Sequence, residues 1–306
     1  MRAVMLAFVL FQTLALGLIA DAQDGTPTPA AQTSREASVL KNQKFEDARV
    51  LTDPKLRAEE GSMSRYSMRF NLSYYGPTLG DLNAKDQPNP DGSVGVYATS
   101  LGGSMSVRYR TSPTAAFAFG TGVKAIYPLH GIERFEVNNP YLAYDMSSRW
   151  GNLQMRNSPG VSYITVPIYK KIGEYGALSF GNSLVYDFAG TAVAAGLETD
   201  FGYYLYDREY QRSDGRASRF TFSFGPNIRY RFTEKLNVNA RLSMNWWNPR
   251  ALPNQFALWN RSPTMSVGMA YGLTKEIFLS PYLYFYPNRI TADSVSMNMS
   301  TIFSIL

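Results

Sequence analysis

From Ser64 onward the apolar residues recur at every second position. Tyr66, Met68, Phe70, Leu72 and Tyr74 interleave with Arg65, Ser67, Arg69, Asn71 and Ser73. A period of two puts one set on each face of an extended strand, whereas a helix would scatter both around its circumference. The parity returns in Leu101, Met105, Val107 and Tyr109 against Ser104, Ser106, Arg108 and Arg110. It returns again in Phe117, Phe119, Val123, Ala125 and Tyr127 against Ala118, Gly120, Gly122 and Lys124. Residues 178–188, 220–232, 236–246, 265–271, 277–286 and 295–305 read the same way, and 161–169 reads as a strand of undecided facing. The pattern predicts ten strands.

The connections arrange them. Those at 111–114, 172–176, 233–235 and 273–276 are tight, and those at 76–93, 128–160, 189–217, 248–260 and 287–293 are longer. Short and long alternate, so an antiparallel meander gathers every short turn at one end, together with both termini. Outer-membrane barrels have this layout. The expected fold is all-β: a closed antiparallel up-and-down transmembrane β-barrel of about ten strands, with eight to twelve allowed.

A soluble β-sandwich also alternates, hiding its apolar face in a dry core. Here the other face is mostly Ser, Gly, Asn and Arg, and the strands run to about 11–14 residues, against the usual five or six of globular sheets. That length crosses hydrocarbon at a tilt, and lipid forces the sheet to close because it satisfies no backbone group. Composition agrees, with aromatics at 14% and charged residues at only 18%, below the customary quarter. Trp150, Trp246, Trp247 and Trp259 fall at or beyond the long-loop ends, where an indole sits at the membrane interface. The implied surroundings are outer-membrane lipid and lipopolysaccharide.

Upstream of the barrel, residues 1–22 read as a signal peptide. A basic start at Arg2, an apolar run from Ala3 to Ile19 and the small-x-small pattern Ala20-Asp21-Ala22 predict cleavage before Gln23. An uncleaved anchor helix is the alternative, and no other segment holds 18 consecutive apolar residues. Residues 23–63 read as a flexible periplasmic lead-in containing Thr-Pro-Thr-Pro. A weak amphipathic pattern of Val39, Leu40, Phe45, Val50 and Leu51 allows a short helix stopped near Asp53-Pro54. Residues 64–306 form the barrel.

On these features the chain resembles the small bacterial outer-membrane β-barrel proteins, over Ser64 to Leu306 plus the signal peptide. The resemblance implies a porin-like protein in the outer membrane of a Gram-negative-type bacterium, with a last strand read by the barrel-assembly machinery. That class usually ends on an aromatic residue. Here Phe303 and Ile305 keep the outward register but the chain ends on Leu306, a departure that weakens the signal.

The chemistry available is narrow. With no cysteine there is no disulfide, thiolate nucleophile or Cys-based zinc site. The chain also lacks a phosphate loop, a nucleotide fingerprint and an EF-hand spacing. No metal, cofactor or nucleic-acid partner is therefore assigned. A barrel hydrolase would need paired Asp residues with an Asp–His couple, or a Ser two positions after a His. His130 is the one histidine, and Ile132 stands two positions on. Asp145, Asp187 or Asp200 would have to meet His130 from other strands, so a hydrolase using His130 stays an alternative and no catalytic residue is assigned.

Charge on the inward face says more. Arg65, Arg69, Arg108, Arg110, Arg229 and Arg231 fall near the turn-side half of the lumen, with Lys124 and Arg241 higher and Asp187 as the evident inward acid. Buried guanidinium groups need acids, water or passing anions. Glu46, Asp47, Asp53, Glu59 and Glu60 offer the acids, so part of residues 46–60 is expected to fold up against the arginines as a partial plug. The readings are a narrow anion-preferring pore or an envelope structural protein, both non-enzymatic. In the second, the inward arginines only pack and join polar networks. The alternative is surface recognition, as an adhesin or lipopolysaccharide contact, through loop 189–217 with Tyr203, Tyr204, Tyr206, Arg208, Tyr210, Arg212 and Arg216. Oligomeric state is left open.

Overall fold

Period-two alternation becomes the two faces of a closed wall. The computed structural model describes residues 44–45, 51–88, 97–207, 217–251 and 257–305. Its wall has twelve strands. These are β1 (Tyr66–Thr78), β2 (Ser100–Ser112), β3 (Ala115–Ile126), β4 (Tyr141–Trp150), β5 (Leu153–Tyr163) and β6 (Glu174–Asp187), then β7 (Val193–Tyr206), β8 (Ser218–Arg231), β9 (Leu236–Pro249), β10 (Thr264–Gly272), β11 (Ile277–Phe285) and β12 (Ser296–Ile305). Each pairs antiparallel with the next, and β12 returns to β1 with Phe303 opposite Phe70, which leaves no open edge.

Cross-strand partners share a face, so the register sorts the side chains. Phe70 stacks on Phe303 at 4.8 Å and Phe222 on Trp246 at 5.8 Å, both pairs on the outside. Phe119 is 61% exposed, while its inward neighbour Ala118 is fully buried. This inverts the order of a soluble sheet, and the sandwich alternative falls with it: the apolar face looks outward and the polar face inward. Among the described residues no helix is long and apolar enough to cross a membrane.

Twelve strands replace the ten expected because two of them lie inside segments read as long loops. β4 carries Asp145, Ser147 and Arg149 inward, but between outward Leu142 and Trp150 the opposite face is Tyr144, Met146 and Ser148, a weak contrast. β7 offers only Ala195, Leu197 and Thr199 outward in its turn-side half, small and mixed, before Phe201 and Tyr203 continue the face toward the loop end. The strand expected at 161–169 is β5 (Leu153–Tyr163), whose outward face is interrupted by Asn157 and Pro159. A short helix, α2 (Pro167–Lys171), follows, started by the proline at its first position. Residues 172–176 are therefore no tight turn, since the connection 164–173 lies at the long-loop end. Tight turns instead fall at 113–114, 151–152, 188–192, 232–235 and 273–276, and long loops at 79–99, 127–140, 164–173, 207–217, 250–263 and 286–295. Short and long still alternate.

The lead-in, part of which is expected to fold up against the inward arginines, has its residues 51–63 inside the wall. The helix α1 (Pro54–Glu60) begins where the sequence reading ends one: Asp53 caps it by accepting from Leu56 N at 3.0 Å, and Pro54 has the fixed φ of a first helical position. It stops at Gly61, whose φ of 75° suits glycine and whose added Cβ would lie 2.5 Å from Arg108 Nη1. Leu51 and Leu56 pack on Val185 and Ala194, and Ala58 on Ala270, Phe278 and Ile302, giving the lumen a small apolar core. A bridge between Lys44 and Ser64, with Phe45 N donating to Met63 O at 3.0 Å, closes the neck of this segment. Residues 1–22, residues 23–43, and Glu46 and Asp47 lie outside the described residues.

Candidate functional site

Three polar networks hold α1 in the lumen. The first centres on Asp145 of β4, which accepts from Arg156 at 2.6 Å, Ser158 at 2.7 Å, Arg108 at 2.9 Å and Arg69 at 3.3 Å. The same guanidinium groups reach the carbonyls at the C-terminal end of α1. Arg69 donates to Glu59 O at 2.6 Å, and Arg108 also donates to Glu60 O. Arg110 donates to Glu60 O at 2.7 Å and Ser62 O at 3.1 Å. Those carbonyls have no partner within the helix and carry the negative end of its dipole, so cations there serve both needs.

A second network gathers at the start of α1. Arg229 of β8 pairs with Asp53. Glu198 of β7 takes Lys55 at 2.5 Å and Arg241 at 2.9 Å, with Arg229 at 3.8 Å. In the third, Gln154 of β5 accepts from Thr52 N at 2.6 Å and Asp53 N at 3.0 Å, and donates to Asp187 at 2.7 Å. Asp187 also pairs with Arg231. Burial raises the carboxyl pKa of Asp53, but the Arg229 guanidinium beside it outweighs this and holds it below the ordinary value.

Of the residues assigned to the lumen from sequence, Arg69, Arg108, Arg110, Arg229, Arg231, Arg241 and Asp187 thus meet around α1. Arg65 does not: its guanidinium lies 5.7 Å from the outward ring of Tyr109, at the turn rim. Lys124 stands opposite Glu136 in the short loop strand Arg134–Val137, above the plug. Sequence reasoning missed Asp145, Arg156, Glu198 and Gln154 as plug contacts. Asp145 and Glu198 sit on β4 and β7, the two strands whose alternation was too faint to find, and inward parity within those strands was the only signal available.

The tryptophans divide. Trp246 faces outward against Phe222. Trp247, its neighbour, must face the other way: it pairs with inward Thr221, meets the Trp259 ring edge-on at 5.9 Å and lies under Arg261 at 5.3 Å. Trp247 and Trp259 therefore belong to the mouth of the barrel and not to a lipid-facing belt. Trp150 is 70% exposed beside the tight turn at 151–152, at the opposite rim from the one expected.

His130 Nε2 donates to Asn83 O at 2.7 Å in the outer loops. The fold brings none of its three candidate carboxylates to it: Asp145 and Asp187 belong to the plug networks, and Asp200 accepts from Ser223 at 3.1 Å. Tyr203, Tyr204 and Tyr206 lie on β7, so the recognition loop expected at 189–217 shrinks to 207–217. Its Arg208, Tyr210, Arg212 and Arg216 lie outside the described residues.

Beside α1 the lumen keeps open space. A cavity of about 450 Å³ runs along the β8–β12 side, with Lys55, Arg229, Arg241 and Arg261 against the single carboxylate of Glu198. A second space, of about 360 Å³, lies on the β4–β7 side near Arg156, Ser158 and Asp200.

A closed twelve-stranded wall with periplasmic-type turns and a polar, arginine-rich lumen is the architecture of the bacterial outer-membrane β-barrels, of porin type. Among solved structures the chain is similar to an outer membrane channel from Pseudomonas putida F1, with TM-score 0.52 and 10% identity over 81% of this chain and 98% of that one. It is also similar to the NanC porin, with TM-score 0.45 and 8% identity over 78% and 100%, and to OmpF of Salmonella typhi, with TM-score 0.39 and 8% identity over 81% and 98%. No protein-family model and no curated protein matches the chain.

Proposed function

We propose that this protein is an exported, non-enzymatic channel of the outer membrane, narrowed by its own residues 51–63, which passes small anions. The cavity beside α1 supports this reading: it is lined by Lys55, Arg229, Arg241 and Arg261, and even with Arg229 paired to Asp53 the carboxylate of Glu198 leaves an excess of positive charge there, which favours negative solutes. The deeper arginines contribute less, because Arg69, Arg108 and Arg156 share Asp145 and are buried against the plug, and Arg231 is paired with Asp187.

Single-channel recording in planar bilayers tests it. Small discrete steps with an anion-biased reversal potential are expected, and Arg261→Glu, at the cavity mouth, should move that potential toward cations. Deleting residues 23–58 should raise the conductance. A silent wild-type barrel that conducts after the deletion would mean a closed channel; silence in both would leave an envelope structural protein.

A further inference from the structure

The outward face of the wall is mostly apolar, with scattered hydroxyls such as Thr121 and Thr301 and, near mid-height, one pair of amides. Away from the two rims, the only amides on that face among the described residues are Asn157 of β5 and Asn182 of β6. They are register partners near the middle of both strands, and Asn182 Nδ2 donates to Asn157 Oδ1 at 2.6 Å. Thr199 of β7 extends the row. Pro159, Phe180 and Phe201 flank it on the loop side, and Met155, Leu184 and Leu197 on the turn side. The facing is set by their neighbours of the same parity, since Leu178 and Tyr186 are 48% and 45% exposed on the outside.

An amide has two donors and a carbonyl with two lone pairs. The one bond between them leaves the Asn157 N–H groups and the Asn182 carbonyl without a partner among the described residues. Hydrocarbon supplies none, and headgroups and bulk water do not reach mid-height. What one asparagine offers is what the other lacks. A two-fold axis brings residue i of one molecule to residue j of the other and the reverse, so a second copy satisfies both at once. We propose that the β5–β7 face is the contact between two copies of this chain, with Asn157 of each donating to the Asn182 carbonyl of the other.

The chain has no cysteine, so single thiols report proximity cleanly. Thr199→Cys lies in the proposed contact and Met297→Cys faces lipid on the far side of the wall. In vesicles, a short thiol-specific cross-linker should join Thr199→Cys into a homodimer at least tenfold more than Met297→Cys. Adding Asn157→Leu and Asn182→Leu should abolish that product while leaving the heat-modifiable gel mobility of a folded barrel. Equal cross-linking of the two thiols, cross-linking of Thr199→Cys to a different protein, or a dimer that persists in the leucine variant would each overturn the proposal. Should the leucine variant not fold, the comparison of the two single thiols decides. Channel conductance is read separately, so either proposal can fail without the other.

Discussion

Gln154 on β5 accepts the backbone N–H of Thr52 at 2.6 Å across 102 positions of sequence. The wall thus reads the main chain of the plug as well as its charges, and Gln154 is fully buried while doing so. Gln154→Leu should leave the buried N–H of Asp53 without this acceptor, costing plug docking about 1–3 kcal/mol, with a smaller loss at the more exposed Thr52 N–H. Higher mean conductance in bilayers and faster proteolysis within residues 44–63 are the readouts.

Asp145 is the common partner of three guanidinium groups, and Arg108 beside it is 2% exposed. Asp145→Asn should cost the folded barrel roughly 3–5 kcal/mol, because it strands buried positive charge. The temperature at which gel mobility shifts from the folded to the unfolded form should drop clearly. An unchanged transition would show that water hydrates this cluster.

Acid should loosen the plug. The Asp53 carboxyl is held below its ordinary value when docked, so its contribution is complete above the ordinary carboxylate range and is lost as pH falls through the depressed value. Conductance should therefore rise on acidification. Asp53→Asn should begin from a higher neutral-pH conductance, since it keeps the cap but loses the ion pair with Arg229, and gain less on acidification.

Gly61 ends α1 at φ 75°, against the Arg108 side chain. Gly61→Ala should cost about 1–3 kcal/mol from a positive-φ, extended-ψ backbone that glycine alone adopts readily, with the crowding of Arg108 added. The lead-in should become more accessible to protease while the wall keeps its heat-modifiable mobility.

Much of the wall was legible because lipid-facing strands need large apolar residues at every second position, as in Phe220, Phe222 and Phe224 or Leu236, Val238 and Ala240. β4 and β7 escaped because Ala195, Thr199 and Ser148 give little contrast with what lies opposite. The acid–arginine complementarity of the plug was visible as charge, yet α1 was placed on the wrong side of Pro54. Proline stops a helix that reaches it and starts one that follows it, and only the Asp53 cap distinguishes the two. The partners of Asp145 and Gln154 depend on which strands become neighbours, information that alternation does not carry.

The neck at Lys44 and Ser64 bears on how such a molecule is put together. The stopper goes in doubled over, with entry and exit through one opening, so a finished cylinder can receive it without threading. A cylinder lacking it would keep the guanidinium groups of Arg69, Arg108 and Arg110 without the carbonyls they now bind, so the segment that obstructs the bore also completes its inner surface.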